Sequence, residues 1–276
     1  MPMGSPSRAA RKSGNLNPVL AFVAVLCIAV AAGSAGAINM WYDRDIDAVM
    51  ERTRDRPLPM RRVAPADALG FGIVLGGGAV IMMALALNLV AAALLALTIS
   101  FYVFIYTMWL KRRTPQNIVI GGAAGAFPPL VGWAAATGQI GLPALALFAL
   151  IFFWTPPHFW ALSLYRADDY AKAGVPMLPV VAGARETKKQ MLLYTVALLP
   201  IALAPTLLGA ASWLYGALAL ALSLVFTICA LRVLAEKGEG NRAAPQMFRF
   251  SLLYLFLLFA LLVADHALGF APCVGS

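Results

Sequence analysis

The sequence predicts an all-α fold, a polytopic transmembrane helical bundle of about eight spans, on three observations. Hydrophobic residues make up 62% of the 276 and charged residues 12%, with a mean hydropathy of +0.82, too apolar for a domain that must cover itself with polar surface. Apolar runs recur at the length, about 20 residues, that a helix needs to cross ~30 Å of hydrocarbon. The alternation of apolar and polar residues that a membrane β-barrel requires is absent.

Taken in order, residues 1–17 form a polar, basic tail without the apolar core of a signal peptide. Residues 18–276 read as a single transmembrane domain, with spans at about 18–39, 68–88, 90–110, 117–137, 142–164, 191–211, 213–235 and 248–269. Tight connections (Asn88-Leu89, Gly138 to Gly141, Ala211-Ser212) alternate with long, charged ones. The long connections hold 18 of the 21 Lys and Arg and the tight ones none, so the long loops are expected on the cytoplasmic side. With eight spans the tail, bearing Arg8, Arg11 and Lys12, falls on the opposite side. A further helix ahead of Pro18 would restore the parity, and the polar stretch 1–17 cannot supply it.

The net charge of +9 follows from these loops, which argues for topology and against nucleic-acid binding. Cys27, Cys229 and Cys273 are too scattered for a disulfide framework or a metal site and read as packing residues.

After the first span the chain reads Asn39-Met-Trp-Tyr-Asp43-Arg-Asp45-Ile-Asp47. If the helix continues, Asn39, Asp43 and Asp47 recur at i, i+4 and i+8 and share one face, while Asp45 points elsewhere. Carboxylates stacked in adjacent turns repel, and a divalent cation removes that cost. Hard oxygen ligands in this number suit Mg2+, which takes one or two carboxylates together with substrate phosphate oxygens. Arg52, Arg54 and Arg56 follow, able to grip phosphate through bidentate forks, and Pro57 and Pro59 end any helix.

A second acidic loop, Tyr165-Arg166-Ala167-Asp168-Asp169-Tyr170-Ala171-Lys172, follows the fifth span on the same side. Seven of the chain's 12 acids lie in these two loops. Two such clusters facing one cavity could hold a diphosphate between them through metal, with Tyr165, Arg166 and Lys172 beside it. Just before it, Pro156-Pro157-His158 interrupts an aromatic span, where prolines free backbone carbonyls. His158 reads either as a neutral partner of such a carbonyl or as a contact to substrate or porphyrin. The run from Gly121 to Ala126 reads as close helix packing, and Asp265-His266 as an interfacial pair at the other end.

These motifs resemble the protoheme IX farnesyltransferase (heme O synthase) family of the UbiA-type intramembrane prenyltransferases. Asn39, Asp43 and Asp47 match the superfamily pattern NxxxDxxxD. More specific are the extension through Asp45, Met50, Arg52, Thr53, Arg56 and Pro57, the run WTPPHFWAL at 154–162, and DYxxAGVPMLPV at 169–181. The resemblance implies a bundle, usually of nine helices, around a central cavity opening to lipid. It implies Mg2+-dependent transfer of farnesyl from farnesyl diphosphate to the 2-vinyl group of heme B, with water adding to give heme O, and a heme A synthase as the downstream partner. On this reading Asn39, Asp43, Asp47 and Asp169 ligate Mg2+, and Arg52, Arg56 and Lys172 bind diphosphate, with Asp168 a second choice among the acids. A prenyltransferase acting on an aromatic or quinone precursor would share every diphosphate residue. A secondary transporter would place its polar residues near the midplane and in repeats, which this chain lacks.

Overall fold

A computed structural model describes residues 16–236 and 242–270. The tail up to residue 15, the helix expected ahead of it, Lys237 and Cys273 lie outside the described residues. Among the described residues there is no strand, and eight helices are long and apolar enough to cross a membrane. They are α1 (Pro18–Tyr42), α3 (Pro65–Ala86), α4 (Leu89–Ser100) continued by a π-helical segment (Phe101–Leu110), α5 (Asn117–Thr137), α6 (Leu142–Leu164), α9 (Gly183–Leu207), α10 (Trp213–Ala235) and α11 (Ala243–Ala267). Short helices α2 (Arg44–Val49), α7 (Ala167–Lys172) and α8 (Leu178–Val181) sit in the long loops.

Local chemistry sets the helix ends. The Asn17 side chain accepts the amide of Val19 ahead of Pro18, and Asn88 and Ser212 cap α4 and α10 in the same way. Gly138 ends α5 with φ at 75°, a left-handed conformation open to glycine. The predicted spans match these helices to within three residues, except the sixth, which also ends at Leu207 rather than near 211, and the eighth. α9 begins at Gly183 rather than near 191, and α11 at Ala243 rather than near 248. α9 extends past its apolar run through the charged turns holding Arg185, Glu186, Lys188 and Lys189, and α11 through the uncharged turn Ala243-Ala244-Pro245-Gln246, with Pro245 in its first turn. Lys188 in α9 is buried and donates to the carbonyl of Glu236 that ends α10.

The bundle has two packed halves. In one, Ala24, Ala31, Met83, Ala91, Leu95 and Val131 join α1, α3, α4 and α5. In the other, Trp160, Leu198, Tyr215, Phe226 and Tyr254 join α6, α9, α10 and α11. Helices α5 and α6 form the seam. Large apolar side chains on the outer faces, such as Phe22, Val74, Leu85, Trp213 and Phe256, are exposed, as lipid-facing positions require. Cys27 is buried and Cys229 half-buried, both unpaired.

Candidate active site

The end of α1 delivers its polar ladder as the spacing requires. The helix turns at Asp43, yet the backbone bonds continue across it, Asp43 N to Asn39 O at 2.9 Å and Asp47 N to Asp43 O at 2.8 Å, so the three side chains stay stacked. All three are buried, Asp43 completely. A buried carboxylate needs a counter-charge, and each has one. Asp43 meets Lys111 and, at 3.2 Å, Arg112, and it accepts from the Asn39 amide at 2.8 Å. Asp47 accepts from Arg56 at 2.8 Å. Asp45, pointing outward, makes two 2.7 Å bonds to Arg112, and that guanidinium lowers its pKa to about 2.

Lys111 and Arg112 owe their positions to the π-helical segment, whose wider turn, closed by Lys111 N to Tyr106 O at 2.9 Å, rotates Tyr102, Tyr106 and Thr107 toward α1 and α5. Such segments concentrate at functional sites. Thr107 accepts from Asn39 at 3.1 Å. Gly121 is required by this contact, because a Cβ there would lie 2.2 Å from the Tyr106 ring, and one on Gly122 would lie 2.9 Å from Thr155. The glycine run therefore packs, and it also forms a cavity wall.

That cavity, of about 430 Å³, opens between the two halves. Asn39, Asp47, Arg52, Arg56, Lys111 and Asn117 line its polar end, and Tyr102, Tyr106, Trp154, Thr155, Phe159 and Leu255 line its apolar depth. An apolar arm of about 250 Å³ between α1, α4 and α5 shares Tyr102 and Gly125 with it, and a wide groove along α11 shares Trp154 and Leu255.

The second acidic loop meets the first at the same end of the bundle. Glu51 N donates to Asp169 Oδ1 at 2.9 Å, Arg166 lies 3.6 Å from Glu51, and Ile46, Met50, Tyr170, Val175 and Met177 pack the loops together. The acids of this loop nevertheless line a neighbouring basin with Glu51, Arg54, Tyr165, Arg166 and Lys172, rather than the central cavity. The bond to Glu51 holds Asp169 on that side, while Tyr170 turns inward to the central cavity. The two loops are thus adjacent, with their acids in two adjoining spaces.

The donor set fits Mg2+. Asn39 and Asp47 offer hard oxygens at the open cavity, whereas the predicted ligand Asp43 lines no cavity and is buried behind them against Lys111, Arg112 and Asn39; the ion needs only one or two carboxylates when phosphate supplies the rest. Among the described residues no group of three or more His, Cys, Asp or Glu side chains forms a complete cage, so the protein alone offers a partial shell. The cations now on the acids, Lys111 and Arg56, are of the residue types that pair with phosphate.

His158 is buried in a stack between Trp154 and Phe248, with ring centroids at 4.3 and 4.7 Å, and its Nδ1 lies 2.6 Å from Ser251 Oγ. A hydroxyl, not a carbonyl freed by proline, is its partner. At the far end Asp265 is buried and accepts both the backbone and the hydroxyl of Ser212, fastening α11 to the start of α10, while His266 is exposed and turns back to its own helix. Sequence reasoning assigned Lys111 and Arg112 to topology alone and passed over Tyr102, Tyr106 and Asn117. Lys111 and Arg112 pair with acids 67 to 69 residues away in sequence, which leaves no local signal, though a basic pair at a same-side helix end was available as one.

A cavity with a cation-lined polar end and an aromatic depth, inside helices long and apolar enough to cross a membrane, has the form of a site for molecules with a charged headgroup and an apolar tail. The family model described as "UbiA prenyltransferase family" matches residues 3–253, and the chain belongs to that family. Its relatives include the protoheme IX farnesyltransferases of Acidiphilium cryptum, 61% identical over 92% of this chain and 82% of that protein, and of Azorhizobium caulinodans, 58% identical over 92% and 84%. In fold it resembles a digeranylgeranylglyceryl phosphate synthase (TM-score 0.75, 17% identity, 91% of this chain and 87% of that one). It also resembles a UbiA homolog from Archaeoglobus fulgidus bound to GPP and Mg2+ (TM-score 0.63, 16% identity, 91% and 90%).

Proposed function

We propose that the protein transfers a farnesyl group from farnesyl diphosphate to the 2-vinyl group of heme B, giving the hydroxyethylfarnesyl group of heme O. The observation that carries this is a cavity with one polar, cation-rich end and an aromatic depth, in a chain whose relatives at up to 61% identity are protoheme IX farnesyltransferases.

Asn39 and Asp47, with Asp43 behind them, would hold Mg2+ directly or through water, and Asp169, which faces the adjoining basin, would join them only on release of its bond to the Glu51 amide. Bound there, the ion supplies charge neutralisation to the leaving diphosphate. Arg52 and Arg56 grip phosphate oxygens from the cavity wall, joined by Lys111, and Lys172, Arg166, Tyr165 and Asp168 shape the outer basin toward the same headgroup. Arg56 and Lys111, now on Asp47 and Asp43, would exchange those acids for phosphate oxygens when diphosphate enters. The C1–O bond then breaks with its electron pair on diphosphate. Tyr102, Tyr106, Trp154 and Phe159 present aromatic faces to the allylic cation and keep bulk water away from it. The vinyl β-carbon bonds to C1, and no serine, cysteine or triad is required.

The narrow arm past Tyr102 and Gly125 suits the isoprenoid chain, and the wide groove past Trp154 and Leu255 suits the porphyrin entering from lipid. His158 is buried behind Trp154 and lines neither the groove nor the cavity, so on this reading it acts on heme through Trp154, the ring it stacks on. We place residues 18–276 as one transmembrane domain in the bacterial inner membrane with the charged loops cytoplasmic, following their Lys and Arg excess, and a heme A synthase as the protein that takes the product onward. The test is incubation of the purified protein with farnesyl diphosphate, Mg2+ and either heme B or a hydroxybenzoate, with chromatography of the extract. Heme O from the first supports the reading, and a prenylated phenol alone from the second overturns it.

A further inference from the structure

The overall reaction contains a contradiction that the cavity must resolve. The allylic cation survives only where water is excluded, yet the product carries a hydroxyl derived from water. When the vinyl β-carbon bonds to C1, positive charge passes to the vinyl α-carbon beside the macrocycle. Bonding of a water oxygen at that carbon, with its proton passing to the released diphosphate, gives the hydroxyethyl product. Without a water in place, the β-carbon loses a proton to diphosphate instead and the product is an alkene, lighter by one water.

Asn117 opens α5 at the polar end of the cavity and is 1% exposed. Its Nδ2 donates to the carbonyl of Lys111 at 3.4 Å, which fixes the amide so that Oδ1 faces away from that carbonyl. Among the described residues lining the central cavity, Asn117 Oδ1 is the side-chain oxygen that is fully buried and has no donor. Of the other donors lining the cavity, Arg56 is on Asp47, Lys111 on Asp43, the Asn39 amide on Asp43 and Thr107, and Thr155 on Ile151, while Arg52, Tyr102, Tyr106 and Tyr170 line the same cavity without reaching this oxygen. Buried oxygens of this kind are almost always partnered in proteins, so the missing donor belongs to something that enters the cavity. Diphosphate oxygens are acceptors, and the isoprenoid and the vinyl group carry no polar hydrogen. Of the reactants, water is the donor.

We propose that Asn117 holds the single water that adds to the farnesylated vinyl group, and so sets the product as hydroxyethyl rather than alkenyl heme. This rests on the heme-farnesylating reading above. Immobilised at one acceptor, that water reaches the second cation while the first stays dry.

Asn117→Leu and Asn117→Ala remove the oxygen at similar and at reduced volume, so that a folded variant is available for comparison by thermal melting. Asn117→Asp keeps an acceptor oxygen. Each purified protein is given heme B, farnesyl diphosphate and a series of Mg2+ concentrations, and the extracted hemes are separated and weighed by mass spectrometry. The expected result is hydroxyethylfarnesyl heme from wild type and Asn117→Asp, and alkenyl heme as the main farnesylated product of the Leu and Ala variants at an unchanged Mg2+ requirement. Hydroxylated product from those variants in the wild-type proportion overturns the proposal. A raised Mg2+ requirement with normal hydroxylation also overturns it, by making Asn117 a ligand of the ion. No farnesylated heme from wild type strikes the functional reading itself.

Discussion

Asp43 and Asp45 lie two residues apart on one turn, share Arg112 as a partner, and are predicted to differ sharply when each is changed to Asn. Asp43 is fully buried against Lys111, Arg112 and Asn39. Removing its charge leaves Lys111 and part of Arg112 uncompensated in a site from which water is largely excluded, a loss of about 3–5 kcal/mol where one partner of a buried pair is deleted. Asp45 is 60% exposed at its side chain, and a solvated pair of that kind contributes about 0–1 kcal/mol. In activity, a carboxylate that holds the ion beside the diphosphate is expected to cost at least about 100-fold, since each factor of ten corresponds to about 1.4 kcal/mol. The assay is thermal unfolding in detergent alongside turnover with labelled farnesyl diphosphate. Asp43→Asn should melt well below wild type and turn over at background, while Asp45→Asn should melt only slightly below wild type, by the equivalent of about 1 kcal/mol or less, and turn over normally. Equal damage in the two variants would show that position along the loop, rather than burial and direction, determines their roles.

Three further outcomes follow from the same contacts. Arg56→Ala strips the partner from buried Asp47, so the KM for farnesyl diphosphate should rise about tenfold or more, with Arg56→Lys recovering only part of it, as steady-state kinetics will read. Gly121→Ala drives a Cβ into the Tyr106 ring, whereas Gly125 has nothing within 4 Å of a Cβ. The first should lower stability by about 1–3 kcal/mol and the second should leave the melting temperature near wild type. Because Arg112 depresses the Asp45 carboxyl from 3.8 to about 2, the stability it contributes is present above pH 3.8 and lost as pH falls toward 2. The difference in melting temperature between wild type and Asp45→Asn should therefore be constant from pH 5 upward and shrink below pH 4.

The helices were legible because lipid imposes a length and a composition on each span, and the four-residue spacing of Asn39, Asp43 and Asp47 survived a break in the helix because the backbone bonds bridge it. That the two acidic loops share an end could be read from loop parity alone. Which side of the wall each acid faces could not, since the bond from the Glu51 backbone to Asp169 joins segments 118 positions apart. The π-helical segment is equally silent in sequence. Its apolar run has no period of its own, and the wider turn is selected by tertiary contacts of Tyr106 with Gly121 and of Lys111 with Asp43.

The central claim is that oxygens at the end of α1 gather a divalent ion together with the diphosphate. Mn2+ in place of Mg2+, titrated into the protein with a non-reactive thiodiphosphate analogue of farnesyl diphosphate and counted by electron paramagnetic resonance, tests it directly. Bound Mn2+ should appear in wild type when the analogue is present and be lost in Asp43→Asn and Asp47→Asn. Equally tight binding in those variants, or none in wild type, would contradict the account.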